Sequence, residues 1–165
     1  MKTEQMTIME ITKETHSLVL FYLSFLKDTD TDHVFEVNHI SMNSVSWITA
    51  HLCNTADMLF FKATGIENPN IPSWLSQYGI GSDPKNIIEK PSFQETYSYM
   101  NDIYNRAYEM ILQMSDETLN IDNKLKISFG EDFSIRKILY HQIRHEATHA
   151  GNFAWLCKFN GIKII

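Results

Sequence analysis

The 165-residue chain has little of several things, and each shortage removes a class of protein. Its two cysteines, Cys53 and Cys157, are too few for a disulfide framework and make one bridge at most. Both are expected to be reduced core residues. Positive charge is in deficit: 14 Lys and Arg stand against 20 Asp and Glu, a formal net charge of −6 with no basic block. Non-specific nucleic-acid binding depends on phosphate neutralisation, so no nucleic-acid partner is expected. Long apolar runs are missing too. The best stretch, residues 17–26, is shorter than the roughly 20 residues that span a bilayer. Acidic Glu4, Glu10 and Glu14 precede it and Lys27-Asp28-Thr29-Asp30 follows it, which does not suit a secretory signal. The expectation is a cytoplasmic protein without a membrane partner. Proline is down to four residues, Pro69, Pro72, Pro84 and Pro91, all in one stretch.

What remains is an ordinary globular mixture, 44% hydrophobic and 21% charged, of a length that fits a single domain over residues 1–165. Residues 6–28 place Ile8, Ile11, Thr15, Leu18, Tyr22 and Phe25 at steps of three and four, which predicts a helix with that stripe buried. Residues 44–64 repeat the pattern with Val45, Ile48, Leu52, Leu59 and Ala63; Asn43 or Ser44 suits the N-cap and Gly65 the stop. Ser92 and Glu95 have capping-box spacing and open a third helix, with Thr96, Tyr99 or Met100, Ile103, Ala107, Met110 and Met114 inward. The fourth runs from near Ser134 to Asn160, ahead of Gly161. Only residues 124–129 alternate, briefly, like a strand. The expected fold is an all-α four-helix bundle. The link over 66–91 has 26 residues, where bundle connections usually need about 2–8. It is long enough to cross the bundle, leaving helices two and three parallel in an up-down-down-up order, and could also cover one open end.

Seven histidines carry most of the functional information. The inward seam of the last helix reads Ile135, Ile138, Gln142, His145, His149, Asn152, Leu156, Phe159. Its ends are apolar and its middle is polar, which is costly unless partners satisfy it. His145 and His149, four apart, share a helix face; the pair alone reads as two hydrogen-bonded core histidines or as two ligands of one metal ion. His51, beside the seam of the second helix, supplies a third imidazole. Three neutral histidines leave a coordination position open, the pattern of a catalytic metal site. His141 lies too far along the helix from His149, about 12 Å, to share the ion, and is expected to line the pocket. His16, off the seam of the first helix, and His33 and His39, in a polar linker, are expected outside the site. Gln142 and Asn152 either orient ligands or substrate or simply pack.

The string His145-Glu146-Ala147-Thr148-His149 is also the zinc-protease signature. The 16 residues after it hold no His, Asp or Glu to complete such a site, and no sheet is expected to hold a peptide. Glu146 is read either as a catalytic group that helps to activate water or as a solvated helix residue.

The segments His145-Glu146-Ala147-Thr148-His149-Ala150-Gly151-Asn152 and Ala50-His51-Leu52, with the loop Tyr78-Gly79-Ile80-Gly81-Ser82-Asp83-Pro84, resemble the DinB/YfiT-like family of metalloenzymes. Ala150 and Asn152 stand where many members have Arg and Gln. The resemblance implies a metal-binding bundle with parallel second and third helices, commonly a homodimer. It also implies chemistry like that of relatives that act as S-transferases and isomerases with low-molecular-weight thiols. Imidazole ligands suit Zn, Ni or Fe. Such an ion keeps its full charge and lowers the pKa of a bound thiol. The expected function is thus a divalent-metal-dependent thiol S-transferase acting on a small electrophile. A metal-dependent hydrolase of a small-molecule substrate and a non-catalytic metal or ligand sensor are the alternatives. Cys53 faces away from the site and Cys157 lies about 12 Å beyond His149, so the thiol is expected from outside. Leu20, Phe21, Leu23, Phe60 and Phe61, apolar but off the seams, agree with a homodimer.

Overall fold

The computed structural model describes residues 2–164. Helix α1 spans Glu4–Leu26, α2 Val45–Ala56, α3 Phe93–Gln113, α4 Asp116–Asn120 and α5 Ile135–Phe159. Helices α1, α2, α3 and α5 form the bundle; the one-turn α4 was not expected. Each start has a side-chain oxygen satisfying a free backbone N–H: Thr3 accepts from Met6, Ser44 from Trp47, Ser92 from Glu95 and Ser134 from Lys137. The expected capping box is only half made. The Glu95 carboxylate accepts from the Trp74 indole N–H at 2.9 Å and so ties the long link to α3. Gly65 and Gly161, at φ +78° and +71°, end α2's extension and α5 in the left-handed region.

Residue pairings set the topology. Cys53, Phe60 and Thr64 meet Thr96, Tyr104 and Met110 in the same order, so α2 and α3 are parallel. Glu4, His16 and Tyr22 likewise meet Arg136, Glu146 and Cys157, so α1 and α5 are parallel. His51 meets His149 while Leu59 and Ala63 pack on Ile138, so α2 and α5 are antiparallel. The order is up-down-down-up, as the length of the 66–91 link predicts.

The stripe assigned to α1 is one position out. Buried are Gln5, Ile8, Thr12, His16, Val19, Leu23 and Leu26, while Ile11, Leu18 and Phe25 of the expected seam are exposed. The helix carries two stripes of regular spacing, and the more polar one faces inward because His16 has a buried partner on α5. His16 therefore belongs to the core, contrary to expectation. Of the residues proposed as surplus to the bundle, Leu23, Phe60 and Phe61 are buried within it.

Two insertions shape the neighbourhood of α2. Ahead of it, β1 (Glu36–Val37) and β2 (Ile40–Ser41) form a short hairpin around Asn38 and His39, both at positive φ. Behind it, residues Asp57–Lys62 continue α2 as a π-helix. The buried Asp57 pairs with Lys62, five positions on, at 2.8 Å and accepts from Asn68 at 2.7 Å. That spacing matches the wider turn. The long link then lays a 3₁₀ segment, Ser73–Tyr78, along α2, burying Trp74, Leu75 and Tyr78. No described helix is long and apolar enough to cross a membrane.

Candidate metal centre

Antiparallel α2 and α5 bring His51, His145 and His149 together. One ligand nitrogen from each lies within 4.8 Å of the other two. His51 Nε2 and His145 Nε2 are 3.3 Å apart. Two nitrogens held about 2.0–2.1 Å from one ion at the tetrahedral angle are separated by about 3.3–3.4 Å, so this pair has the spacing of adjacent ligands. Histidine Nδ1 of residue 51 donates to the Tyr78 carbonyl at 2.8 Å. That bond fixes the tautomer and leaves the Nε2 lone pair free for a metal. The Trp47 indole, one helical turn before, stacks on the same ring at 4.9 Å and fixes its plane. The Asn152 amide lies 3.2 Å from His149 Nδ1 and orients that ring. His145 is held by ring contacts with His149 at 4.6 Å and His141 at 6.0 Å.

Electrostatics favour the ligating form. Burial, then the neighbouring imidazoles, pushes His145 down to about 3; burial and His51 bring His149 to about 4. Burial lowers His51 as well, against the opposing effect of the Tyr78 carbonyl. All three are neutral at pH 7, as metal binding requires. The donor set, the spacing and the anchored rings fit a divalent ion.

The structure does not bring Glu146 or Gln142 to these three. Both side chains are wholly buried on the adjacent, inward face of α5. Glu146 Oε1 lies 2.7 Å from His16 Nδ1, and the His16 ring stacks on Tyr104 at 3.8 Å. Gln142 Nε2 donates to the Tyr104 hydroxyl at 2.9 Å. Burial raises the Glu146 pKa, with the His16 contact opposing it. Both sequence readings of Glu146 as a residue at the metal or in solvent are thereby corrected: it faces the core. The reason is angular. One residue of helix is about 100°, so the face between His145 and His149 and the face of Glu146 look into different spaces. Asn152 lies beside His149. Cys53 is buried with its thiol against the Thr96 carbonyl, away from the site.

Sequence reasoning missed Tyr78 and Trp47. Every residue has a carbonyl, so nothing marks that of Tyr78 in advance. Trp47 had a readable signal, its spacing of four from His51.

A family model described as the DinB superfamily matches residues 21–152, a span that includes all three histidines. The chain belongs to the DinB superfamily, and within it presents a three-histidine group suited to a metal ion. No curated protein sequence is significantly similar to it.

Proposed function

We propose that the protein is a metal-dependent transferase in which a low-molecular-weight thiol attacks a small electrophile. The observation that carries the reading is the set of three neutral imidazoles with ligand atoms within 4.8 Å of one another, a donor set that leaves a position on a divalent ion unfilled. A divalent ion held there supplies undiminished positive charge, which favours the thiolate form of an incoming thiol. His51 keeps its Nε2 lone pair towards the other two imidazoles, and Tyr78 and Asn152 keep His51 and His149 from turning away. The new C–S bond forms as the leaving group departs with its electron pair, and the thiol proton passes to solvent. Neither cysteine suits the role of nucleophile: Cys53 and Cys157 are free, buried, and raised in pKa by that burial. Two free cysteines also agree with a reducing, cytoplasmic setting. The hydrolase alternative loses support because Glu146 is tied to His16 and would need replacing as a base.

The test is to load the protein with Zn²⁺, Ni²⁺ or Fe²⁺, supply cellular thiols with a chlorinated aromatic electrophile, and follow conjugate formation. Metal-dependent conjugation abolished by His149→Ala supports the transferase. Ester or amide hydrolysis without conjugation moves the assignment to a hydrolase. A tightly bound ion with neither activity moves it to a sensor.

A further inference from the structure

A second feature lies one turn towards the N-terminus of α5. A hollow of about 350 Å³ is lined by Phe129, Lys137, Tyr140, His141 and Arg144. No carboxylate lines it, in a chain whose net charge is −6. Neither Lys137 nor Arg144 forms an ion pair among the described residues. The Asp132 carboxylate accepts from the Ser134 backbone N–H at 2.8 Å.

The Tyr140 hydroxyl is committed to the Glu4 carboxylate at 3.0 Å, and the donors left to the hollow are Lys137, His141 and Arg144. Arg144 Nη2 lies 2.7 Å from His141 Nδ1. Guanidinium carries only donors, so Nδ1 accepts and the His141 proton sits on Nε2, available to a ligand. Phe129 stacks on His141 at 3.7 Å, and the Arg144 guanidinium lies 5.8 Å from the centre of the same Phe129 ring. Both donors are thus held in place by one aromatic ring from the loop ahead of α5. The His141 ring in turn lies 6.0 Å from that of His145, a metal-centre residue.

We propose that this hollow binds the oxyanion group, carboxylate or phosphate, of the small molecule that uses the metal centre. Arg144 and Lys137 supply the charge and His141 Nε2–H a directed hydrogen bond. The spacing along α5 sets the ligand: residues 137–144 lie on average about 7–10 Å along the helix from the midpoint of His145 and His149, so the anionic group and the atom that reaches the metal are separated by about that length. His141 is then a binding residue rather than a fourth ligand. The proposal rests on the metal-centre reading for the ligand's other end, while its own binding step needs no ion.

Two measurements separate the readings. In the first, metal-free protein at low ionic strength is titrated calorimetrically with inorganic phosphate and with succinate, which distinguishes the two oxyanion sources. Saturable binding of either is expected. It should weaken at least tenfold in Arg144→Met and in Lys137→Met, fade as salt is added, and persist in His149→Ala and in Lys163→Met. In the second, protein loaded with Co²⁺ is titrated with 6-mercaptohexanoate and with uncharged 6-mercaptohexanol while the thiolate-to-cobalt absorption is followed. The mercaptohexanoate should saturate at the lower concentration, with the preference erased in Arg144→Met. No saturable anion binding, or binding unchanged by Arg144→Met, overturns the oxyanion site even if both thiols reach the cobalt. Anion binding lost in Arg144→Met, with no thiolate absorption from either thiol, upholds the site and overturns the thiol chemistry.

Discussion

His51 Nε2 and His145 Nε2 lie 3.3 Å apart, although 94 positions separate them in the chain. Each is set from behind: His51 by the Tyr78 carbonyl, His145 by the rings of its own helix neighbours.

Replacing any of His51, His145 or His149 by Ala should remove most of the affinity for Zn²⁺, read by calorimetry or by metal content after dialysis. Asn152→Ala should be milder, a loss of about 10–100-fold, because it frees the His149 ring without deleting a ligand. Undiminished stoichiometric metal in the triple-alanine variant would refute the centre.

The metal-free protein should lose stability as pH falls from about 6.5 towards 5. His51, His145 and His149 have folded pKa values below the ordinary 6.5, two of them at about 3 and about 4. In that range the unfolded chain binds more protons, so acid favours unfolding. The raised Glu146 acts in the opposite sense above its ordinary 4.5, one group against three. Urea denaturation in chelator at several pH values measures the slope. The triple-alanine variant should flatten it, and an equal slope in both proteins would disprove the assignment.

Glu146→Ala should destabilise the fold by about 3 kcal/mol, because it strands His16 in the core without its partner. Glu146→Gln should retain metal binding. If the Gln variant kept its thermal midpoint yet lost turnover, Glu146 would act in the chemistry and the present placement would be wrong.

A homodimer is expected, joined through the outer face of α1. Ile11, Leu18, Phe21 and Phe25 are 48%, 43%, 45% and 38% exposed and recur at helical spacing. Light scattering at micromolar concentration should give twice the 19.2 kDa chain mass. Leu18→Lys with Phe21→Lys should yield a folded monomer. A wild-type monomer counts against the face.

The last helix shows best what could be read in advance. Polar residues on a stripe that should be apolar are visible in any one-dimensional pattern, so His145 and His149 were legible, and so was their fit to His51. The parallel pairing of α2 and α3 was legible for a related reason: a link of 26 residues is far too long for a hairpin.

The face that α1 turns inward was not legible. Its two stripes have the same period, and the buried one contains Gln5, Thr12 and His16. Only the presence of Glu146 and Tyr104 opposite makes that stripe the lower in free energy, because a buried polar group is tolerated when its partner is buried with it. The same pairing removed Glu146 from the metal centre. Residue type and spacing, which depend on helix periodicity alone, therefore determined the bundle, its topology and the three histidines of the candidate centre. Which polar group faces the metal and which faces the core depended on partners distant in the chain, and that was decided only when the helices packed.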